Sequence, residues 1–212
     1  MQPTENKSGK NPLILMFIAL SLNVACATES TGVMDNSTPL TREYVWYDGD
    51  REQRVWLNEQ IVAEFDPSPT GETMVKRAGS SARIISTKRK LKTMRLWQID
   101  NTDGTATRSL KASHPQGKYS EVLHDGPSSG GRMRALPGNI IVYLDPQWDE
   151  AAIQKWLRSR KLEAVKKLEI GPNIYVIKSG PGLEALDTAN ALYQSGEVKA
   201  AFPDWWQEVV AR

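Results

Sequence analysis

The stretch NIIVYLDPQWDEAAIQKWLRSRKLEAVKKLEIGPNIYVIKSGPGLEALDTANALYQSGEVKAAFPDWW, residues 139–206, decides the fold. Ile140, Val142 and Leu144 alternate with Ile141 and Tyr143, which predicts a strand buried on both faces, ended by Asp145-Pro146. Asp149 is the predicted N-cap of a helix, with Glu150 in the first turn where the helix dipole favours a carboxylate. Ile153, Trp156 and Leu157 then fall on one helical face, and Arg158, Arg160 and Lys161 load its C-terminal end. A second strand is predicted over 163–170, with Val165 and Leu168 pointing inward. Gly171-Pro172-Asn173 is a turn, and Ile174-Tyr175-Val176-Ile177 is the third strand. After the break Gly180-Pro181-Gly182, a second helix runs over 183–194, with Leu183, Leu186, Ala189 and Tyr193 on one stripe. Ser195-Gly196 stops it. Val198, Ala200 and Phe202 alternate in the fourth strand, which Pro203 ends.

The order β-α-β-β-α-β with short loops predicts an α+β chain whose C-terminal part is a ferredoxin-like domain, 137–212. Its two helices cover one face of a four-stranded antiparallel sheet. The other face is left open, and that is where a partner is expected to bind. The fold hosts many functions and fixes none of them.

Upstream, the reading is mostly β. Tyr44-Val45-Trp46-Tyr47 and 53–57 flank the turn Asp48-Gly49-Asp50, a hairpin signal. Residues 60–65 form a third strand closed by Asp66-Pro67. Residues 67–80 and 100–118 read as loops, with strands predicted at 82–87 and 94–99. Short strands at 119–124 and 132–136 flank the glycine-rich turn 126–131. No long amphipathic helix is predicted before residue 148, so 43–136 is expected to be a β-rich region. Residues 28–42 are polar and rich in Ser, Thr, Gly and Pro, which predicts a flexible linker.

The N-terminus carries an export signal. Lys7 and Lys10 precede the apolar run LILMFIALSL, 13–22, which is too short to span a bilayer comfortably. Ala25-Cys26-Ala27 supplies small residues for cleavage, giving a signal peptide over 1–27 and an exported, periplasmic or extracellular protein. Cys26 is the only cysteine. Asn23-Val24-Ala25-Cys26 resembles a lipobox, in which Cys26 would be acylated and tie the chain to a membrane. Cleavage after Ala27 leaves a soluble chain without cysteine. Neither outcome permits an intramolecular disulfide.

The formal charge of +2 argues against nucleic acid as a partner, and the basic run 88–92 reads as a solvated hairpin tip. The sequence has no H-E-x-x-H, C-x-x-C or Walker loop, and Gly126-Pro127-Ser128-Ser129-Gly130, which spells G-x-S-x-G, reads as a glycine-rich turn with no helix following it. The two histidines, His114 and His124, fall in loop or loop-edge contexts. His124, Asp125 and Ser128 contain the letters of a triad, but adjacency in sequence is not triad geometry. The expectation is a protein that is not an enzyme and holds no cofactor or metal.

The segments NIIVYLDP, DEAAIQKWL, LEAVKKLEIGPNIYVIKS, EALDTANAL and GEVKAAFPDWW together resemble the propeptide domain of subtilisin-type serine proteases. The fourth-strand segment 197–205 is the most specific part of the likeness. YVWYDGD (44–50) and IVAEFDP (61–67) are similar to the opening of a degenerate propeptide repeat that precedes the domain in some relatives, its helices not visible here. The sequence ends at Arg212 with no protease following. The resemblance therefore implies a chaperone and inhibitor acting in trans on a subtilisin-like serine protease. It implies that the open sheet face docks on surface helices of the protease, with Glu169 and Asp204 capping them. The segment after strand four, from Trp205 and Trp206 onward, would enter the substrate cleft as an extended strand. Val209, Val210, Ala211 and Arg212 would then lie at P4 to P1. A buried guanidinium needs an acidic pocket, so Arg212 implies a protease with a basic P1 preference. Two other classes remain open: an envelope lipoprotein using the domain as a general binding module, and a decayed protease that has lost its catalytic half.

Overall fold

The computed structural model describes residues 39–79, 81–85, 93–100 and 105–208. Two antiparallel sheets and four helices make up these residues, an α+β chain. Cys26, the expected signal peptide 1–27, most of the expected linker and the basic run 88–92 lie outside them.

β1 (Glu43–Asp48) and β2 (Arg51–Phe65) form the expected hairpin, turned at Gly49, whose φ of 60° favours glycine. The third strand expected at 60–65 is not separate. β2 runs unbroken for 15 residues, pairing with β1 over its first part and with β4 (Met94–Gln98) over its last. The other edge of β2 pairs with β5 (Lys118–His124), across a register shift between Asn58 and Val62.

Two expected loops contain helices. α1 spans Pro69–Ala78: the Ser68 hydroxyl accepts from the Gly71 N–H at 3.0 Å, Pro69 opens the first turn, and Lys76 and Arg77 close the last. α2 spans Ala106–Ser113 and buries Ala106, Thr107 and Leu110. β3 is only Arg83–Ile84, and β6 is Met133–Ala135. The linker expected through residue 42 is already ordered at Pro39 and Leu40, which lie against Ser128 and Pro127 of the glycine-rich turn.

The C-terminal elements follow expectation closely. β7 (Asn139–Tyr143), α3 (Glu150–Arg160), β8 (Ala164–Leu168), β9 (Ile174–Lys178), α4 (Leu183–Gln194) and β10 (Ala200–Pro203) succeed one another. The Asp149 carboxylate accepts from Ala152 N–H at 2.8 Å, and Lys161 ends α3 in the left-handed conformation. Two inward residues are corrected: Leu168 stands opposite Ile174 on the face away from the helices. Val165 is 52% exposed, because a register irregularity between Ala164 and Lys166 takes it out of the alternation. In β10, Ala201 faces the helices, and Ala200 and Phe202 face away.

The sheet orders of the two halves correspond. β7-α3-β8-β9-α4-β10 is arranged in space as β10-β7-β9-β8. β2-α1-β3-β4-α2-β5 is arranged as β5-β2-β4-β3. In both halves the fourth strand comes first, then the first, the third and the second. The registers also correspond: Val62 opposes Trp97 as Val142 opposes Tyr175. Each pair lies on its half's helix-covered side.

The halves share one core. Val55, Leu123 and Leu136 of the first half pack in one cluster with Ile140, Val142, Trp156, Ile177 and Leu186 of the second. The Glu121 carboxylate of β5 accepts from the Leu183 N–H at 3.0 Å, supplying the N-terminal cap that Gly182 cannot give to α4. Lys111 of α2 donates to the Pro181 carbonyl beside it. Tyr47 stacks on Tyr193 at 4.4 Å, and Asn190 of α4 donates to the Val45 carbonyl at 2.8 Å.

Candidate partner-binding surface

The four-stranded sheet has one face against α3 and α4. Alternation puts Ile141 and Tyr143 of β7, Ile174 and Val176 of β9, Phe202 of β10 and Leu168 of β8 on the other. Phe202 and Tyr143 lie 5.7 Å apart between ring centres, and Lys166 ends the Phe202–Ile141–Val176 row. None of these side chains belongs to the core shared with the helices; Ile174 and Val176 are buried among their neighbours, and Ile141, Tyr143, Phe202 and Leu168 are the half-buried, accessible ones. Beside this face, Ile170 in the β8–β9 turn is 74% exposed.

Glu169 and Asp204 mark opposite corners of the sheet. Glu169 is exposed just beyond the row Ala200–Tyr143–Ile174–Leu168, and Asp204 follows Pro203 at the other end of β10. Three strand spacings and five residues of rise separate them, roughly 22 Å. Two carboxylates so placed can meet two separate helix ends and cannot share one.

Trp205 and Trp206 need a different account from the one expected. Neither belongs to a free tail. Trp205 meets Trp46 edge-on, 5.5 Å between ring centres, and the Arg134 guanidinium lies 5.5 Å from its ring. Trp206 and Gln207 form a short strand, β11, opposite Ala135 and Arg134 of β6. The Glu208 N–H then donates to the Met133 carbonyl at 3.0 Å. Val209, Val210, Ala211 and Arg212 lie outside the described residues. Sequence reasoning missed Arg134 and Trp46, and only the paired aromatic content of the two regions hinted at them.

Three buried titratable groups outside this surface have hydrogen-bond partners. The Glu64 carboxylate is buried under α1, accepting from Trp97 Nε1 at 2.8 Å. Burial and the neighbouring Glu64 charge push Tyr119 up to about 12, and its hydroxyl lies 2.9 Å from His114 Nδ1. His124 is the last residue of β5, at the loop edge, and is buried. Its Nδ1 lies 2.9 Å from the Gly131 carbonyl, its Nε2 lies 3.2 Å from Asn58, and Asp125 instead clasps Arg134. Ser128 accepts from the Gly130 N–H, so the three triad letters do not converge. A cavity of about 450 Å³ borders Asn58 and His124, lined also by Leu57, Ile61, Ile85 and Met133. Among the described residues no cluster of His, Cys, Asp or Glu could hold a metal, and no helix is long and apolar enough to cross a membrane.

Burial pushes the His124 pKa below its ordinary 6.5. Its folded state is therefore the neutral one, and the unfolded chain binds the extra proton first. The stabilisation it gives is intact above pH 6.5 and is lost as the pH falls through that value toward the lowered folded one. His124→Gln should flatten the fall in unfolding free energy between about pH 7.5 and 5.5, measured by urea titration. A wild-type profile flat over that range would contradict the assignment.

Comparison with known protein families, curated proteins and solved structures finds no match to this chain.

Proposed function

We propose that this is an exported protein that assists the folding of a subtilisin-type serine protease in trans and then inhibits it. On this reading the C-terminal half is a ferredoxin-like propeptide domain and the N-terminal half a second, diverged copy of it. One observation carries the reading. The second half has strand order β10-β7-β9-β8, both helices on one side, an apolar row on the other, and a chain that leaves β10 toward the segment 209–212.

Area explains why such a protein needs two contacts. Four strands of about five residues present roughly 300 Å² of sheet face. A stable interface covers about 800 Å² on each partner. The face alone therefore gives a weak, orienting contact, and the tail in the substrate cleft supplies the rest by strand addition and filled pockets. Binding the folded protease and not its unfolded chain stabilises the former by mass action. Val209 to Arg212 would fill P4 to P1, with Glu169 and Asp204 meeting helix ends on the protease. The sealed Glu64 and Tyr119, and triad letters that do not converge, support a binding role over a catalytic one.

The test uses residues 28–212 and a kexin-type subtilase, a protease that cleaves after basic residues, with a chromogenic peptide substrate. Removing 209–212 leaves β11 in place and should weaken inhibition about 100-fold, the loss of ~2.7 kcal/mol for an extended segment and its pockets. Arg212→Asp should cost about tenfold or more, since a carboxylate would face an acidic pocket. The yield of active protease on refolding from denaturant should rise with the protein present. If the intact chain neither inhibits nor raises that yield, against this protease or subtilisin, the proposal fails. Equal inhibition after removal of 209–212 would instead place the contact entirely on the sheet.

A further inference from the structure

The geometry points to a specific task for the N-terminal half: Trp46, Arg134 and the edge of β6 are positioning elements that set where the partner-binding tail begins and which way it heads. This rests on the function proposed above.

The anchorage is continuous. The Asp204 N–H still donates to the Asn139 carbonyl at 3.0 Å, the last bond to the four-stranded sheet. At Trp205 the chain changes sheets. Its indole stands against Trp46, interplanar angle 66°, and the Arg134 guanidinium lies 5.7 Å from the Trp46 ring and 5.5 Å from that of Trp205. Asp125 fixes that guanidinium with both oxygens, at 2.5 and 3.1 Å. Trp206 and Gln207 then pair with Ala135 and Arg134, and Glu208 bonds to Met133. Every residue from 204 to 208 is thus held, and from Trp205 on the holding groups all belong to the N-terminal half. Among the described residues β11 is the outermost strand of its sheet.

Two physical arguments give this arrangement a purpose beyond stability. Ordering a loose segment on binding costs conformational entropy for each residue ordered. With 204–208 ordered beforehand, binding does not bear the entropy of ordering those five residues. The second argument is the choice of arginine. The Arg134 side chain is only 13% exposed, and a desolvated guanidinium is a costly way to fill space between two indoles. An apolar side chain would fill it at least as stably. What the arginine adds is direction: a planar fork locked by Asp125 that admits both rings in one arrangement.

The decisive variant is Arg134→Met combined with Asp125→Asn, which fills the space and leaves no unpaired carboxylate. Glu121→Gln is the control, since it weakens the α4 cap without touching 204–208. Amide hydrogen exchange of the free protein reads the anchorage, and the inhibition constant toward the kexin-type subtilase reads its use. The double variant should keep its melting temperature within a few degrees, lose exchange protection at Trp206 to Glu208, and inhibit about tenfold less well. The control should melt at lower temperature and inhibit as the wild type does. Unchanged protection at 206–208 in the double variant would overturn the anchorage. Lost protection with an unchanged inhibition constant would overturn its positioning role. Failure of the wild type to inhibit counts against the proposed function itself, while the exchange data still decide the anchorage.

Discussion

Residues 137–212 expressed without the rest of the chain should not fold. Their periodicity is complete, and by sequence they look like a domain, but four of their structural needs are met from elsewhere. Glu121 caps α4, Val45 accepts the Asn190 amide, Tyr47 covers Tyr193, and Trp46 with Arg134 encloses Trp205. Each such loss is worth about 0.5–2 kcal/mol. Val55, Leu123 and Leu136 also leave the common core, at about 1.5–3 kcal/mol for each buried aliphatic side chain. The sum matches or exceeds the 5–15 kcal/mol that holds a typical domain together. A half of this size buries a small share of its surface to begin with. The measurement is far-UV circular dichroism and amide dispersion of the isolated half. A cooperative thermal transition would show that the four contacts are dispensable.

Gly182→Ala should destabilise the protein strongly. Gly182 has φ 79° and ψ −149°, a region essentially closed to side chains, and occupying it costs about 1–3 kcal/mol. The added Cβ would stand 2.1 Å from Glu121 Oε2 and 2.9 Å from Lys111 Nζ. Those two groups would have to move, breaking the cap on Leu183 for about another 1–2 kcal/mol. A total of about 3–5 kcal/mol corresponds to a melting temperature lowered by roughly 10–15 °C in a chain of this length. Gly196→Ala is the matched comparison: φ is also positive, at 70°, but nothing lies within 4 Å of the new carbon. If both variants melt together, backbone conformation alone accounts for the effect and the carboxylate cap contributes nothing.

How much was legible in the sequence depended on how regular each segment is. The second half could be read almost to the residue, because caps, glycines and apolar spacing agree at every step from Asp149 to Gly196. Val165 was misjudged because one irregular step in an edge strand exchanges the faces, and alternation cannot signal it. α1 was hidden by its composition. Pro69, Thr70 and Gly71 look like a loop, and Val75 is its only large buried side chain. The signal was present in Ser68-Pro69 at the start and Lys76-Arg77 at the end. The expected degenerate repeat was legible only in its opening segments, because α1 and α2 were hidden and corresponding sites hold unlike residues: Trp97 stands where the second half has Tyr175. The fate of Trp205 was beyond sequence reasoning of any kind, since its partners Trp46 and Arg134 are brought to it only by the completed fold.

The long reach of these contacts governs when the fold can be gained. The bond between Val45 and Asn190 closes a separation of 145 residues, and β6 has its outer neighbour only once 206–207 have arrived. Contacts so distant along the chain bring folding toward the millisecond-to-second range, since loop closure precedes any reward for it. Early strands such as β1 must wait, half-covered, while the remainder is synthesised and delivered. During that interval the nascent chain is open to degradation and to mispairing along its bare strand edges. Maturation is therefore a single late event, timed by the arrival of the last strand.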